Sequence, residues 1–170
     1  VTPCPDVVVY PTSREEVQAL LQWSARNNAV LVPFGGGSSV VGGVNPPAGD
    51  KAVLCVDLTL MDRLLALDED ARVAKIEAGA YGPALEQALQ ARGYTLGHCP
   101  QSFEFSTLGG WIAARGAGQQ SNKYGKPEKW LVDAELAVPD GAWQTEGFPA
   151  SAAGPQLTQL VIGSEGTLGI

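Results

Sequence analysis

Residues 33–44 read Pro-Phe-Gly-Gly-Gly-Ser-Ser-Val-Val-Gly-Gly-Val, and no other stretch restricts the chain as much. The apolar run 29–32 leads into three glycines, two hydroxyls, a β-branched pair and two further glycines. This composition suits a chain that leaves a strand and presses its backbone against something. Glycines admit positive φ and close approach, so successive N–H groups can converge into a nest for an anion. The hydroxyls of Ser38 and Ser39 add donors, and a phosphate or pyrophosphate fits such a nest.

Two better-known phosphate loops fail on spacing. A Rossmann fingerprint needs a third glycine five positions after the first, and counting from Gly35 that position is Val40. A Walker A loop needs Lys after its second glycine; Gly37 and Gly42 have the separation, but Gly43 follows. Without a lysine in the loop, an anion is held by backbone N–H groups and hydroxyls, which suits a structural diphosphate rather than one in transfer. The alternative is a flexible linker, against which the apolar residues flanking and interrupting the segment argue.

A chain of 170 residues can bury one substantial core, in one lobe or two. Its net charge of −7 and scattered Lys and Arg leave no basic stripe, so nucleic acid is not an expected partner. No apolar run reaches membrane-spanning length, and no signal-like segment opens the sequence at Val1. Cys4, Cys55 and Cys99 are too few and too far apart for a disulfide framework or zinc site, and no metal site is expected. The adjacent His98 and Cys99 are read as structural, because no second histidine exists.

In chain order, Val7, Val8 and Val9 mark a short buried strand stopped by Pro11. Ser13 and Glu16 form a capping-box pattern for a helix to about residue 28. Strands follow at 29–32, 52–58 and 73–77, then a helix over 81–92 with Pro83 in its first turn and Gly93 as terminator. The acidic trio Asp68, Glu69 and Asp70 reads as a solvated turn rather than a carboxylate site. Beyond residue 96, Ser106 is expected to cap a short helix through Trp111 and Ala113. Residues 131–138 read as a long strand, and Pro139-Asp140-Gly141 turns the chain back through 142–145. A last apolar run, 157–162, enters Gly163-Ser164-Glu165-Gly166-Thr167-Leu168-Gly169. Glycine-hydroxyl segments thus occur in each third of the chain. Several backbone strips of this kind suit one extended ligand, such as a dinucleotide with a central diphosphate and flat rings at its ends.

Four stretches carry a resemblance: the loop 33–44, the string Pro100-Gln101-Ser102-Phe103-Glu104-Phe105-Ser106-Thr107-Leu108-Gly109-Gly110-Trp111, Asn122-Lys123-Tyr124-Gly125, and the 163–169 segment. In this order and spacing they resemble the FAD-binding domain of the vanillyl-alcohol-oxidase-type, or PCMH-type, flavoproteins. Within that group the likeness is nearest to alkyldihydroxyacetonephosphate synthases and related bacterial FAD-linked oxidases, then to glycolate oxidase and D-lactate dehydrogenase subunits. The resemblance implies an α+β fold of two lobes, residues 1–95 and 96–170, with FAD between them. It also implies a substrate, or cap, domain that follows the Gly-Thr-Leu-Gly segment and is absent from this chain, which stops at Ile170.

By the same resemblance, Pro33, Gly35, Gly36, Gly37, Ser38, Ser39 and Gly42 wrap the pyrophosphate of FAD. Pro100, Gln101, Ser102, Ser106, Thr107 and Gly110 line flavin and diphosphate. Arg115, Gly116 and Ala117 match a Thr-Arg-Ala-Ser segment beside the isoalloxazine, with Ala114 and Ala117 in place of its hydroxyl residues. Glu165, Gly166, Thr167 and Ile170 match the adenosine side. The loop has no histidine, so FAD is expected to be non-covalent. Arg115 has two open readings: a positive charge that stabilises reduced flavin, or a partner for a carboxylate such as Glu104. Tyr124 is equally a flavin contact or a turn anchor. No catalytic side chain is assigned.

The resemblance implies an FAD-dependent oxidoreductase, or its flavin domain, acting on a 2-hydroxy acid, alcohol or similar small substrate. One alternative is a flavin-dependent alkyldihydroxyacetonephosphate synthase-like transferase without net redox change. Another is a non-catalytic FAD-binding subunit that needs a partner chain. A cytoplasmic location, or one peripheral to the membrane, is expected.

Overall fold

The computed structural model describes residues 4–148 and 152–170. Its first unit is a parallel sheet of β1 (Val7–Val9), β2 (Val30–Phe34) and β3 (Val53–Asp57), in the order β1-β3-β2. Between β1 and β2 runs α1 (Arg14–Asn27). The Ser13 hydroxyl accepts from the N–H of Glu16 at 3.3 Å, the first half of a capping box. The Glu16 carboxylate reaches one residue further back than the box requires, accepting from the N–H of Thr12 at 2.6 Å and its hydroxyl at 3.0 Å. Asn28 closes the helix in the left-handed region, at φ 51°.

β3 sits between its two neighbours and is apolar on both faces, as a buried parallel strand must be. Val53, Leu54 and Val56 are all buried, with Val32 of β2 beside them. Each such side chain contributes roughly 1.5–3 kcal/mol of burial. β2 pairs with β3 from Val30↔Val53 to Phe34↔Asp57, so β2 ends where the glycine loop begins.

β4 (Leu64–Asp68) and β5 (Val73–Ile76) form an antiparallel hairpin. Its turn holds Asp68, Glu69 and Asp70, and the Asp68 carboxylate accepts from the N–H of Ala71 at 2.8 Å. The sequence reading missed β4, because Leu-Leu-Ala-Leu does not alternate. Arg63 and Glu77 clamp the open end of the hairpin through a two-pronged pair, at 3.0 and 2.8 Å.

α2 (Gly82–Gln90) packs Leu85 and Leu89 onto Ala80, Leu108 and Trp111, a second core. A 3-10 turn (Phe103–Phe105) then precedes α3 (Leu108–Ala113). The cap of α3 corrects the sequence reading. Thr107, not Ser106, accepts from the N–H of Gly110, at 3.3 Å. The Ser106 hydroxyl is taken instead, accepting from the indole Nε1 of Trp111 at 2.6 Å and donating to the carbonyl of Ser102 at 2.8 Å.

α4 (Ser121–Tyr124) and α5 (Pro127–Trp130) follow, and the expected strand over 131–138 shortens to β6 (Glu135–Val138), antiparallel to β7 (Gly141–Gln144). The last apolar run forms a short helix, α6 (Leu157–Val161). α1 reaches this part of the chain directly. Arg14 pairs with Glu135 at 2.7 Å, and the Gln18 amide donates to the carbonyls of Val138 at 2.7 Å and Pro139 at 3.1 Å.

His98, read from the sequence as structural, lies in the interior. It is 1% exposed between the rings of Trp111 and Trp130, at 4.9 and 5.5 Å. Among the described residues its two ring nitrogens have no hydrogen-bond partner, and burial pushes its pKa down.

Candidate functional site

A groove of about 430 Å³ runs between the glycine loop, the start of α3 and the C-terminal segment. Pro33, Gly35, Gly36, Gly37, Ser38 and Ser39 line one wall, together with Val40, Val41, Gly43 and Val44. The floor carries Pro100, Ser102, Ser106, Thr107, Gly110 and Gly116. Glu165, Gly166 and Ile170 line the opposite wall with Val161 and Ser164.

The remaining sequence candidates lie off the groove wall. Gly42 turns the loop, accepting from the N–H of Asn45 at 3.0 Å. Gln101 and Ala117 face solvent. The Thr167 hydroxyl donates to the carbonyl of Ser164 at 2.6 Å. Arg115 donates to the carbonyl of Ile162 at 2.9 Å and, more loosely, of Gln159 at 3.4 Å, and no ion pair joins it to Glu104 among the described residues. The Tyr124 ring packs against Gly97, where a Cβ would come within 2.5 Å of its Cδ2, and so serves as a turn anchor.

The donor inventory decides where an anion can sit. The first N–H groups of α3 are spent: Leu108 donates to Ala80 at 2.9 Å, Gly109 to Ala78 at 2.8 Å, and Gly110 to the Thr107 hydroxyl. The glycine loop is the opposite case. From Gly35 to Val44, no backbone N–H donates to a protein acceptor among the described residues. Residues 37–41 are exposed, so these N–H groups open to water and are available to an acceptor-rich ligand that lies in the groove.

Close approach explains why the loop is glycine. A Cβ on Gly36 would land on the carbonyl of Phe105, and one on Gly35 would strike the Thr107 hydroxyl. Loop and floor therefore meet backbone on backbone at Gly36 and backbone on the Thr107 side chain at Gly35. Gly37 adds a left-handed turn at φ 65°.

The groove's only ionisable lining side chains among the described residues are Glu135 and Glu165. Glu135 is engaged by Arg14, whereas Glu165 stands opposite the end of the loop, its Oε2 3.3 Å from where a Cβ of Gly43 would lie. An anion set along residues 35–41 would meet only neutral donors, with the Glu165 carboxylate at the far wall. The unspent N–H run, the hydroxyls of Ser38 and Ser39 and the flat glycine-rich floor at Gly109 and Gly110 fit a dinucleotide such as FAD. Sequence reasoning missed Val40, Val41, Trp111, Leu136 and Val161 as wall residues. Their apolar character is indistinguishable from core until the groove is assembled.

Comparison with known proteins gives a consistent picture. A family model described as an FAD binding domain matches residues 5–147. The chain is 42% identical over 166 residues to alkyldihydroxyacetonephosphate synthase of Dictyostelium discoideum, covering 98% of this chain and 27% of that protein. It is 34% identical over 170 residues to the mitochondrial D-lactate dehydrogenase [cytochrome] of Arabidopsis thaliana, with coverages of 98% and 29%. The glycolate oxidase subunit GlcD of Bacillus subtilis is 30% identical over 168 residues, with coverages of 98% and 35%. A solved structure of alkyldihydroxyacetonephosphate synthase superposes with a TM-score of 0.91 at 40% identity, over 96% of this chain and 29% of that one. The chain thus spans about a third or less of the length of these relatives.

Proposed function

The chain belongs to the FAD binding domain family, with FAD as its cofactor, and we propose that it is the flavin-holding part of an oxidoreductase acting on a small 2-hydroxy acid or alcohol. The observation that carries this reading is the run of unspent N–H groups from Gly35 to Val44 along the groove. In this assignment Pro33, Gly35, Gly36, Gly37, Ser38 and Ser39 hold the diphosphate, while Gly42 shapes the loop. Ser102, Ser106, Thr107, Gly110 and Gly116 support the flavin end, and Glu165, Gly166 and Ile170 the adenosine end. The two lobes are residues 1–95 and 96–170. FAD is held without a covalent bond: the loop has no histidine, and the chain's single histidine is buried between two tryptophans.

Bound FAD supplies the electron-accepting chemistry. The chain's own residues bind and orient it, and Trp111 closes the floor against water. We place substrate binding and acid–base chemistry on a further domain or a partner subunit. Among the described residues no helix is long and apolar enough to cross a membrane; we place the protein in the cytoplasm or at a membrane surface.

A second reading, a synthase-like transferase, is favoured by the 42% and 40% identities to alkyldihydroxyacetonephosphate synthases. The oxidoreductase reading is preferred because the relatives also include an FAD-linked oxidoreductase, a D-lactate dehydrogenase and a glycolate oxidase subunit. The test is visible absorption of the purified protein with FAD, followed by acid precipitation and then anaerobic addition of D-lactate or glycolate. Flavin bands released by acid and bleached by a hydroxy acid support the proposal. A yellow protein that no hydroxy acid or alcohol bleaches, but that yields an alkyldihydroxyacetonephosphate product, establishes the second reading. A colourless protein that ignores FAD overturns both.

A further inference from the structure

Arg115 occupies a position where its backbone is at a disadvantage. α3 ends in a Schellman motif: the N–H of Gly116 bonds to the carbonyl of Trp111 at 2.9 Å, and that of Arg115 to Ile112 at 3.1 Å. The residue after the cap of such a motif is left-handed and usually glycine, yet here it is Arg115, at φ 51°. A costly backbone held by a long side chain calls for a reason in that side chain. The guanidinium crosses to the C-terminus of α6, where it donates to the carbonyl of Ile162 at 2.9 Å and reaches that of Gln159 at 3.4 Å. These are carbonyls at a helix end, where a cation is favoured.

The arrangement is reciprocal. The N–H groups of Gly163 and Glu165 donate back to the carbonyls of Ile112 and Ala113, at 3.0 and 3.1 Å, at the C-terminal end of α3. Each helix end is thus satisfied by the segment following the other. The segment after α6 carries Ser164, Glu165 and Gly166 to the groove wall, whereas Arg115 itself does not line the groove. We propose that Arg115 is a positioning residue: it locks the far wall of the groove onto the floor by tying the end of α6 to the end of α3, and does not contact the cofactor. The inference rests on the FAD reading for its functional consequence, though its structural half stands apart from it.

The test uses Arg115→Gly, which suits the left-handed backbone and removes only the side chain, with Arg115→Asn as a second variant that also tolerates that conformation. Amide hydrogen exchange of the FAD-free protein and fluorescence titration with FAD are the two readouts. Exchange at Gly163 and Glu165 is expected to accelerate by roughly tenfold or more, and the Kd for FAD to rise by a similar factor, with the absorption spectrum of the saturated protein unchanged. Unaltered exchange at these amides overturns the proposal. So does a shifted flavin spectrum without altered exchange, which would put the guanidinium on the cofactor. Wild-type protein that ignores FAD sinks the cofactor reading, and the exchange measurement on its own still decides what Arg115 holds.

Discussion

Replacing Ser106 with Ala removes a strut beneath the groove. The serine is 4% exposed and Trp111 is 3% exposed, so truncation leaves the indole N–H, now 2.6 Å from the hydroxyl oxygen, in a place water does not reach. An unpaired buried donor costs about 1–3 kcal/mol, and loss of the bond to Ser102 adds about 0.5–1.5 kcal/mol net. The sum is roughly 2–4 kcal/mol. For a protein of this size each kcal/mol moves Tm by about 2–4 °C, so a fall of roughly 4–16 °C is expected. Urea denaturation followed by indole fluorescence and far-UV circular dichroism checks the value, with agreement between the probes testing two-state behaviour. A double-mutant cycle with Trp111→Phe sharpens it. Phe has no N–H to strand, so Ser106→Ala in that background should cost only about 1 kcal/mol, leaving a coupling energy of about 1–3 kcal/mol. A cost within about 0.5 kcal/mol of zero, or one equal in both backgrounds, would refute the reasoning.

Gly36→Ala places a Cβ on the Phe105 carbonyl and within 2.8 Å of the Ser106 Cα, forcing the loop off the floor. FAD affinity should drop about tenfold or more in a calorimetric titration; equal affinity would remove that contact from the site. For His98, burial holds the imidazole below its ordinary 6.5, so the unfolded chain binds the extra proton and stability is lost as pH falls through that value. The urea midpoint is expected to fall between about pH 7.5 and about pH 5.5, and His98→Phe to flatten the slope; identical slopes in the two proteins would show that the ring charges freely in the fold.

The parts that were legible in the sequence are those whose signals are local. Ser13 at a helix start, the three valines of β1 and the glycine loop each declare themselves within a few residues, although β1 is an edge strand with Val7 and Val8 exposed rather than the buried strand its valines suggest. The α+β class and the FAD family followed from motif order. What was not legible depends on partners distant in sequence. β4 hides because Leu64, Leu65 and Leu67 do not alternate with polar residues, and Leu65 is exposed. Residues 157–161 are too short to show a helical period. The Ser106 hydroxyl sits where a cap is expected, and only the indole of Trp111 packed against it shows why Thr107 takes that role. Arg115 matches a family segment beside the flavin, yet its side chain turns to the carbonyls of α6, a choice that nothing within several residues of it encodes.

The strand order β1-β3-β2 also bears on how the chain emerges during synthesis. β1 and β2 are consecutive apart from α1, yet neither pairs with the other; both wait for residues 53–57, with Val7 opposite Leu54 and Val30 opposite Val53. Until those residues leave the ribosome, the nascent chain carries two apolar strands with open edges and no partner for either. Such edges are where intermolecular pairing starts. A pause before residue 53 would prolong that interval, whereas the arrival of β3 closes both inner edges in one event and delivers the glycine loop, at the end of β2, to its place beside the groove.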